Sequence, residues 1–331
     1  MHFYCEKCKK QYPMNTTEYR CKCGGLFHLF KEEGARLASE ISIGASVTNL
    51  LRIDINDMDF YLKMENLQPT GSFKDRGART MISELHELGI QKIALDSAGN
   101  AGASIAAYAA AADMECTVYV PDDISAGKLE QIARYGANIV KVPGGRMEAC
   151  AAVKKNLGDA YYASHVYNPL FFEGMKSMAH EIYDQLGGQV PDYIFMPVGN
   201  GTMLLGLYEG FEEIGRLPRL VPVQSKNCAP LYEAYHGLPA MKKTRTIAES
   251  IRIEEPKRLK DMIQAVKNSQ GDVLAVDDAE IVQAAQYLGH HGIYTELTSA
   301  AALAGALRVF RHGKPYNYKV ILPLTGAGFK A

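Results

Sequence analysis

Lys74 sits in the most informative stretch of the sequence, Gln68-Pro69-Thr70-Gly71-Ser72-Phe73-Lys74-Asp75-Arg76-Gly77, where turn formers lead straight into an amphipathic pattern. Ala78, Met81, Ile82, Leu85 and Leu88 fall on one face at helical spacing. Ser72 with Asp75 three residues on reads as a capping box, which puts Lys74 in the first turn beside the positive helix end. Positive potential there opposes an ammonium. A lysine of lowered pKa keeps a free amine, the form that attacks an aldehyde and later abstracts a proton. A lone lysine at a helix start is ordinarily a solvated surface group, so the weight of this reading comes from two further loops.

Ser97-Ala98-Gly99-Asn100-Ala101-Gly102 follows a β-rich run and opens an Ala-rich helical one. Its backbone N–H groups and the Ser97 hydroxyl can bind a carboxylate, and Asn100 adds a neutral amide. Gly199-Asn200-Gly201-Thr202 repeats the pattern before the helical stretch Met203–Ile214, so amides and the Thr202 hydroxyl can cradle a phosphate without a basic side chain. Each loop alone is also an ordinary strand-to-helix turn. Neither has the G-x-G-x-x-G spacing of a dinucleotide site. A third loop, Leu322-Pro323-Leu324-Thr325-Gly326-Ala327-Gly328, places a hydroxyl and two glycines at what should be the same sheet edge, where ligands gather in open parallel sheets.

Four of the seven cysteines crowd into the first 23 residues as Cys5, Cys8, Cys21 and Cys23. Two short knuckles of this kind can aim four thiolates at a tetrahedral zinc ion, although the second has one intervening residue rather than two or more. The bland alternative is four reduced, unliganded thiols. Residues 1–31 carry six basic side chains against two acidic ones, but four thiolates around Zn²⁺ leave a net charge of minus two. The aromatics Phe3, Tyr4, Tyr12, Tyr19, Phe27 and Phe30 are expected to pack a tiny core. A structural accessory is therefore expected rather than a nucleic-acid binder.

The elements that must hold these residues follow from the alternation of the chain. Runs at Ile93–Leu95, Thr117–Val120, Ile139–Val142 and Tyr161–Ser164 read as strands, with helices at Ala101–Ala112, Ala126–Tyr135 and Arg146–Leu157 between them. Parallel strands joined by crossover helices are the economical arrangement. A second series has strands at Tyr193–Met196, Leu220–Val223, Val273–Val276 and Val320–Leu322, with helices that include Ser299–Arg311. The strand Phe60–Met64 lacks a partner unless it joins this second series. Expected domains are a zinc-ribbon-like segment at 1–31, a small α/β domain at 83–175, and a large one built from 40–82 and 176–331. The stretch Leu238–Ile253 reads as irregular.

Composition is that of an ordinary soluble globular protein. The 331 residues are 47% hydrophobic and 22% charged, with 36 basic against 37 acidic side chains. Nothing there attracts polyanions strongly. The longest near-apolar stretch, Ala103 to Ala112, is far shorter than the ~20 residues that span a bilayer, and the start of the chain lacks a signal-like apolar core. The expectation is a cytoplasmic protein with no membrane partner.

Taken together, the Lys74 stretch, Ser97–Asn100, Gly199–Thr202 and Thr325-Gly326 resemble the fold-type-II pyridoxal phosphate enzymes, and most closely the threonine synthase family. The resemblance runs from about residue 45 onward, and the cysteine-rich head is similar to a ribbon that many of that family carry. It implies two open parallel-sheet α/β domains of the tryptophan synthase β-like kind, a homodimer, and a carbon–oxygen lyase acting on a small amino acid. It also implies roles. Lys74 would bond the cofactor's aldehyde, Asn100 would contact its ring hydroxyl, Gly199, Asn200, Gly201 and Thr202 would bind its phosphate, and Thr325 would meet the pyridine nitrogen. Ser97 and Gly99 would lie by the substrate carboxylate. A neutral hydroxyl at the pyridine nitrogen favours a pyridinium less than a carboxylate does, so a moderate electron sink is expected.

The sequence also departs from the family pattern. Phe171 stands where many members place an arginine for the substrate's phosphate, and Ala98 and Ala101 stand where hydroxyls are common. The closing stretch reads Thr325-Gly326-Ala327-Gly328-Phe329-Lys330, and a Glu-Pro-x-Ser motif reads Glu296-Leu297-Thr298-Ser299. Burying a dianion without charge-assisted partners costs several kcal/mol, so Arg76, Arg79 and His165 are candidate substitutes. The alternatives are β-elimination or β-replacement on serine- or threonine-like amino acids, as in an ammonia-lyase or sulfhydrylase, or a non-catalytic ligand-sensing or partner-binding body. His290-His291 is expected to cap and solvate a helix end, and Cys116, Cys150 and Cys228 to be buried small hydrophobes. Tyr161, Tyr162, Phe171 and Phe172 could line a pocket or pack the core.

Overall fold

Short β-branched runs alternating with Ala- and Leu-rich stretches build two separate sheets with helical crossovers. The computed structural model describes residues 1–38, 40–55, 58–122, 126–311 and 318–330. The chain divides into one unit of Met1–Ala45 with Lys74–Gly174 and a second of Ser46–Phe73 with Met175–Ala331.

In the first unit, four strands lie in the order Asn138–Val142, Glu115–Pro121, Lys92–Leu95, Tyr161–Tyr162, and every pair is parallel. Helices Asn100–Ala111, Ala126–Arg134 and Arg146–Lys155 make the crossovers. The helix Asn100–Ala111 is apolar nearly all round, which suits an element whose residues 101 to 109 are all buried. Helix Lys74–Glu87 also belongs to this unit, so the division falls at Lys74 rather than near 83. Its start is tied to helix Asn100–Ala111 by the Ser104 hydroxyl, which donates to the buried Asp75 carboxylate at 2.6 Å.

The head of this unit is a three-stranded antiparallel sheet in the order Gln11–Tyr12, His2–Cys5, Phe27–Phe30. Phe3, Tyr12 and Phe27 fill its interior. Two expected core aromatics go elsewhere. Phe30 is 46% exposed, and Tyr19 stands edge-on to Tyr162 and Tyr167 at 5.7 and 5.0 Å.

The second unit carries six strands in the order Leu274–Val276, Arg219–Ser225, Tyr193–Pro197, Val320–Pro323, Met58–Lys63, Leu50–Ile55. Strand Met58–Lys63 does find its partner here, parallel to Val320–Pro323. The edge strand Leu50–Ile55 is antiparallel to it, so the sheet is mixed rather than purely parallel. Phe60, Leu62, Phe195, Val223 and Leu322 pack with the buried residues Ala300 to Ala304 of helix Leu297–Val309. Lys63 is fully buried, and its ammonium donates to the Thr48 carbonyl, Glu181 and Gln185 at 2.8, 2.6 and 2.9 Å. Apart from the short 3-10 turn Glu249–Ile251, residues 238–253 hold no helix or strand.

Candidate active site

Lys74 is the first residue of helix Lys74–Glu87, where the free N–H groups concentrate positive potential. The expected capping box does not form. Ser72 Oγ is buried without a hydrogen-bond partner, because the helix begins at Lys74, one residue too late for Ser72 to be its N-cap. Lys74 Nζ stands 5.9 Å from the centre of the buried Phe171 ring, and His165 meets that ring edge-on at 5.9 Å. Removal from water, with the Lys74 and Arg146 charges, holds the His165 pKa well below the usual imidazole value. Of the aromatics, Phe171 lines the lysine, whereas Tyr161, Tyr162 and Phe172 are buried as core. The Tyr162 hydroxyl is spent on Asp96 at 2.7 Å.

Asn100 begins the helix that packs beside Lys74–Glu87, with Gly99 as its extended N-cap. No side chain caps this end, and Ser97, Gly99 and Asn100 all retain accessible surface. A Cβ on Gly102 would lie 1.7 Å from the Ser97 carbonyl oxygen. The turn therefore folds flat onto the helix start only because residue 102 is glycine.

In the second unit, Gly199–Thr202 follows strand Tyr193–Pro197, and Thr325 follows the adjacent parallel strand Val320–Pro323. The two loops share one end of the sheet. Gly201 takes a left-handed φ of +82°, and a Cβ there would lie 2.3 Å from Met262 Sδ. The turn has no side chain at Gly199 or Gly201, and it opens helix Thr202–Ile214 with Thr202 as its first residue. Such a donor set fits a phosphate monoester.

Thr325 is 2% exposed, and its hydroxyl donates to Glu296 Oε1 at 2.7 Å. Ser299 Oγ lies 2.9 Å from Thr325 Oγ1 and accepts the N–H groups of Thr325 and Gly326 at 2.8 and 3.3 Å. The Glu296 N–H and the Thr295 hydroxyl both donate to the Gly326 carbonyl, at 3.0 and 2.6 Å. Any Cβ on Gly326 would come within 2.6 Å of the Glu296 carboxyl carbon. Sequence reasoning noted Glu296 and Ser299 only as a motif. Their three-residue spacing, a carboxylate before a helix and a hydroxyl inside its first turn, was the signal available.

The sulfurs of Cys5, Cys8, Cys21 and Cys23 lie within 4.8 Å of one another. Cys5–Cys23 and Cys8–Cys21 approach to 3.4 and 3.5 Å. The Tyr12 hydroxyl, 3.1 Å from Cys21 Sγ, is the first cause of a Cys21 pKa lowered to about 6. Elsewhere, Cys116 and Cys228 are buried as expected, while Cys150 is half-buried, its Sγ 3.9 Å from the Tyr162 hydroxyl. His291 Nδ1 meets the Tyr287 carbonyl at 2.8 Å, closing helix Asp278–His290. No helix among the described residues is long and apolar enough to cross a membrane.

Comparison with known proteins adds sequence likeness to this geometry. Residues 41–326 match the family model described as "Pyridoxal-phosphate dependent enzyme". A threonine synthase of Methanocaldococcus jannaschii is 32% identical over 98% of this chain and 92% of its own. One from Synechocystis is 36% identical over 83% of this chain and 72% of its own. Among solved structures, a maize serine racemase superposes with a TM-score of 0.76 at 22% identity, covering 86% of this chain and 89% of its own. An L-serine ammonia-lyase of Rhizomucor miehei gives 0.75 at 22% identity, covering 86% and 94%.

Proposed function

Because the chain belongs to the threonine synthase family of pyridoxal phosphate-dependent enzymes, we propose that it converts O-phosphohomoserine to threonine and phosphate. Bound pyridoxal phosphate draws electrons from the substrate's α-carbon, which is the chemistry the chain cannot supply itself. Lys74, at its helix start, is assigned the covalent hold on the cofactor and the proton transfers once its amine is released. Asn100 is assigned the ring hydroxyl, Gly199, Asn200, Gly201 and Thr202 the cofactor phosphate, and Thr325 the pyridine nitrogen. Ser97 and Gly99 are assigned the substrate carboxylate. The observation that carries the reading is the left-handed turn at Gly201, which opens helix Thr202–Ile214 with no side-chain cap and leaves its first amides to meet a phosphate.

The substrate's own phosphate falls to Arg76, Arg79 or His165 in this assignment, since Phe171 offers no donor. That same residue favours a second reading, β-elimination or replacement on an unphosphorylated serine-like amino acid. Incubating the holoprotein with O-phosphohomoserine, with phosphate release followed and the product identified by mass spectrometry, separates the two. Threonine with phosphate supports the first reading. A cofactor-loaded protein that releases no phosphate but deaminates serine or threonine supports the second. Lys74→Ala abolishes turnover and the absorbance of the covalently held cofactor in either case.

Zinc at Cys5, Cys8, Cys21 and Cys23, a homodimer and a cytoplasmic setting complete the proposal. Four sulfurs within 4.8 Å support the metal, and seven unpaired thiols support a reducing compartment. The homodimer rests on family resemblance, and sedimentation of the holoprotein tests it.

A further inference from the structure

The second cysteine knuckle is bracketed by two side chains that leave the head. Tyr19 precedes Cys21 and Leu26 follows Cys23, and both pack with Tyr162 and Tyr167 in the core of the first unit. Tyr19 meets those two rings edge-on at 5.7 and 5.0 Å, and they stand 6.2 Å from each other. The three rings surround one cation. Lys154 Nζ lies 4.5, 4.8 and 5.8 Å from the ring centres of Tyr19, Tyr167 and Tyr162, within the range at which an aromatic face attracts an ammonium. Tyr19 is the nearest wall of this box and the only one that the head supplies.

Tyr162 carries the arrangement on toward the candidate carboxylate turn. Its backbone pairs with Ala94 on the neighbouring strand Lys92–Leu95, and its hydroxyl donates at 2.7 Å to the Asp96 carboxylate, just past the end of that strand. A buried phenol needs such an acceptor, so ring and carboxylate hold each other. Asp96 is followed at once by Ser97-Ala98-Gly99-Asn100. The far end of this turn is fixed separately, by the Ala103 N–H on the Gly99 carbonyl at 3.1 Å and by Gly102 pressed against the Ser97 carbonyl. Asp96 fixes its near end.

We propose that Asp96 is a positioning residue for the Ser97–Asn100 turn, and that the cysteine head acts on it through Tyr19, Lys154 and Tyr162. The head then helps the enzyme to hold its substrate's carboxylate, although none of its residues touches that substrate. This rests on the assignment of Ser97 and Gly99 to the carboxylate made above.

The test is amide hydrogen exchange of the holoprotein, read by mass spectrometry over residues 94–104, together with steady-state kinetics on O-phosphohomoserine. Tyr19→Ala is expected to speed exchange there by about threefold or more and to raise KM by about the same factor with kcat held. Tyr19→Phe, which keeps the ring, stays at the wild-type values. Tyr162→Phe, which loses the bond to Asp96 and keeps the box, is expected to match Tyr19→Ala. Exchange unchanged in both Tyr19→Ala and Tyr162→Phe overturns the proposal and leaves the functional reading standing. Exchange that responds to Tyr162→Phe alone overturns the part played by the head, and a loosened turn with unchanged KM overturns the positioning role. If Tyr19→Ala does not fold, Lys154→Met, which removes the cation without touching the head, takes its place. A wild type that makes no threonine defeats the functional reading, and the exchange arm then still decides the link from head to turn.

Discussion

Gly201 is the residue at which the candidate phosphate turn can be tested most sharply, since two separate constraints act on one atom. A methyl there must tolerate a φ of +82° and displace Met262 Sδ from 2.3 Å. Gly201→Ala is expected to lower stability by more than about 1 kcal/mol and to weaken retention of pyridoxal phosphate, read by equilibrium dialysis. Met262→Ala in the same background relieves the crowding but not the backbone strain, so it recovers only part of the loss. Lys63 makes a different kind of prediction. Its ammonium is fully buried with three acceptors. Glu181→Ala removes a carboxylate 2.6 Å from that buried ammonium and is expected to cost about 3–5 kcal/mol in urea unfolding. A change below 1 kcal/mol would count against a dry, paired site.

Helix starts govern the next scale, and they divide into capped and open ones. Helix Asp278–His290 is closed by a full capping box, with the Asp277 carboxylate accepting the Glu280 N–H at 3.0 Å and Glu280 accepting the Asp277 N–H at 2.8 Å. Those bonds, with Lys226 nearby, hold the Asp277 pKa below the ordinary 3.8. A depressed folded-state pKa contributes stability that is present above the unfolded value and is lost as pH falls through the folded one. Asp277→Ala is therefore expected to lower the unfolding midpoint at pH 7 by the equivalent of ~1 kcal/mol and to leave a smaller difference from wild type near pH 2. Helices Asn100–Ala111 and Thr202–Ile214, by contrast, carry no side-chain cap. Their strand–glycine–helix pattern was legible in the sequence because glycine and β-branched spacing are local signals. The Ser72 cap does not form because the helix begins at Lys74 and Ser72 bridges to Gly326, a partner far along the sequence. The antiparallel edge Leu50–Ile55 was missed for a related reason. Its direction is set by the short connection to Met58–Lys63, which alternation alone does not report.

At the scale of the whole molecule, the chain passes between its two units three times, and the cysteine head belongs to the first. Tyr19 of that head packs on Tyr162 and Tyr167, with Lys154 Nζ 4.5 Å from its ring centre. Metal analysis is expected to give roughly one zinc per chain, and chelation to lower the melting temperature by loosening this aromatic contact. A fully folded, metal-free preparation would argue for unliganded thiols. The body's two series of strands were readable from sequence, whereas the grouping of helix Lys74–Glu87 was not, because packing rather than pattern decides it. One consequence concerns the making of the protein. Just ahead of Lys74, the Phe73 N–H bonds the Thr325 carbonyl, the Ala327 N–H bonds the Gly71 carbonyl, and Lys330 reaches back to Thr70 across 260 positions of sequence. Translation at ordinary speed separates these partners by roughly ten to fifty seconds. Throughout that interval the nascent lysine has no finished loop behind it, so the ribosome must complete almost the entire polypeptide before the amine is set in place.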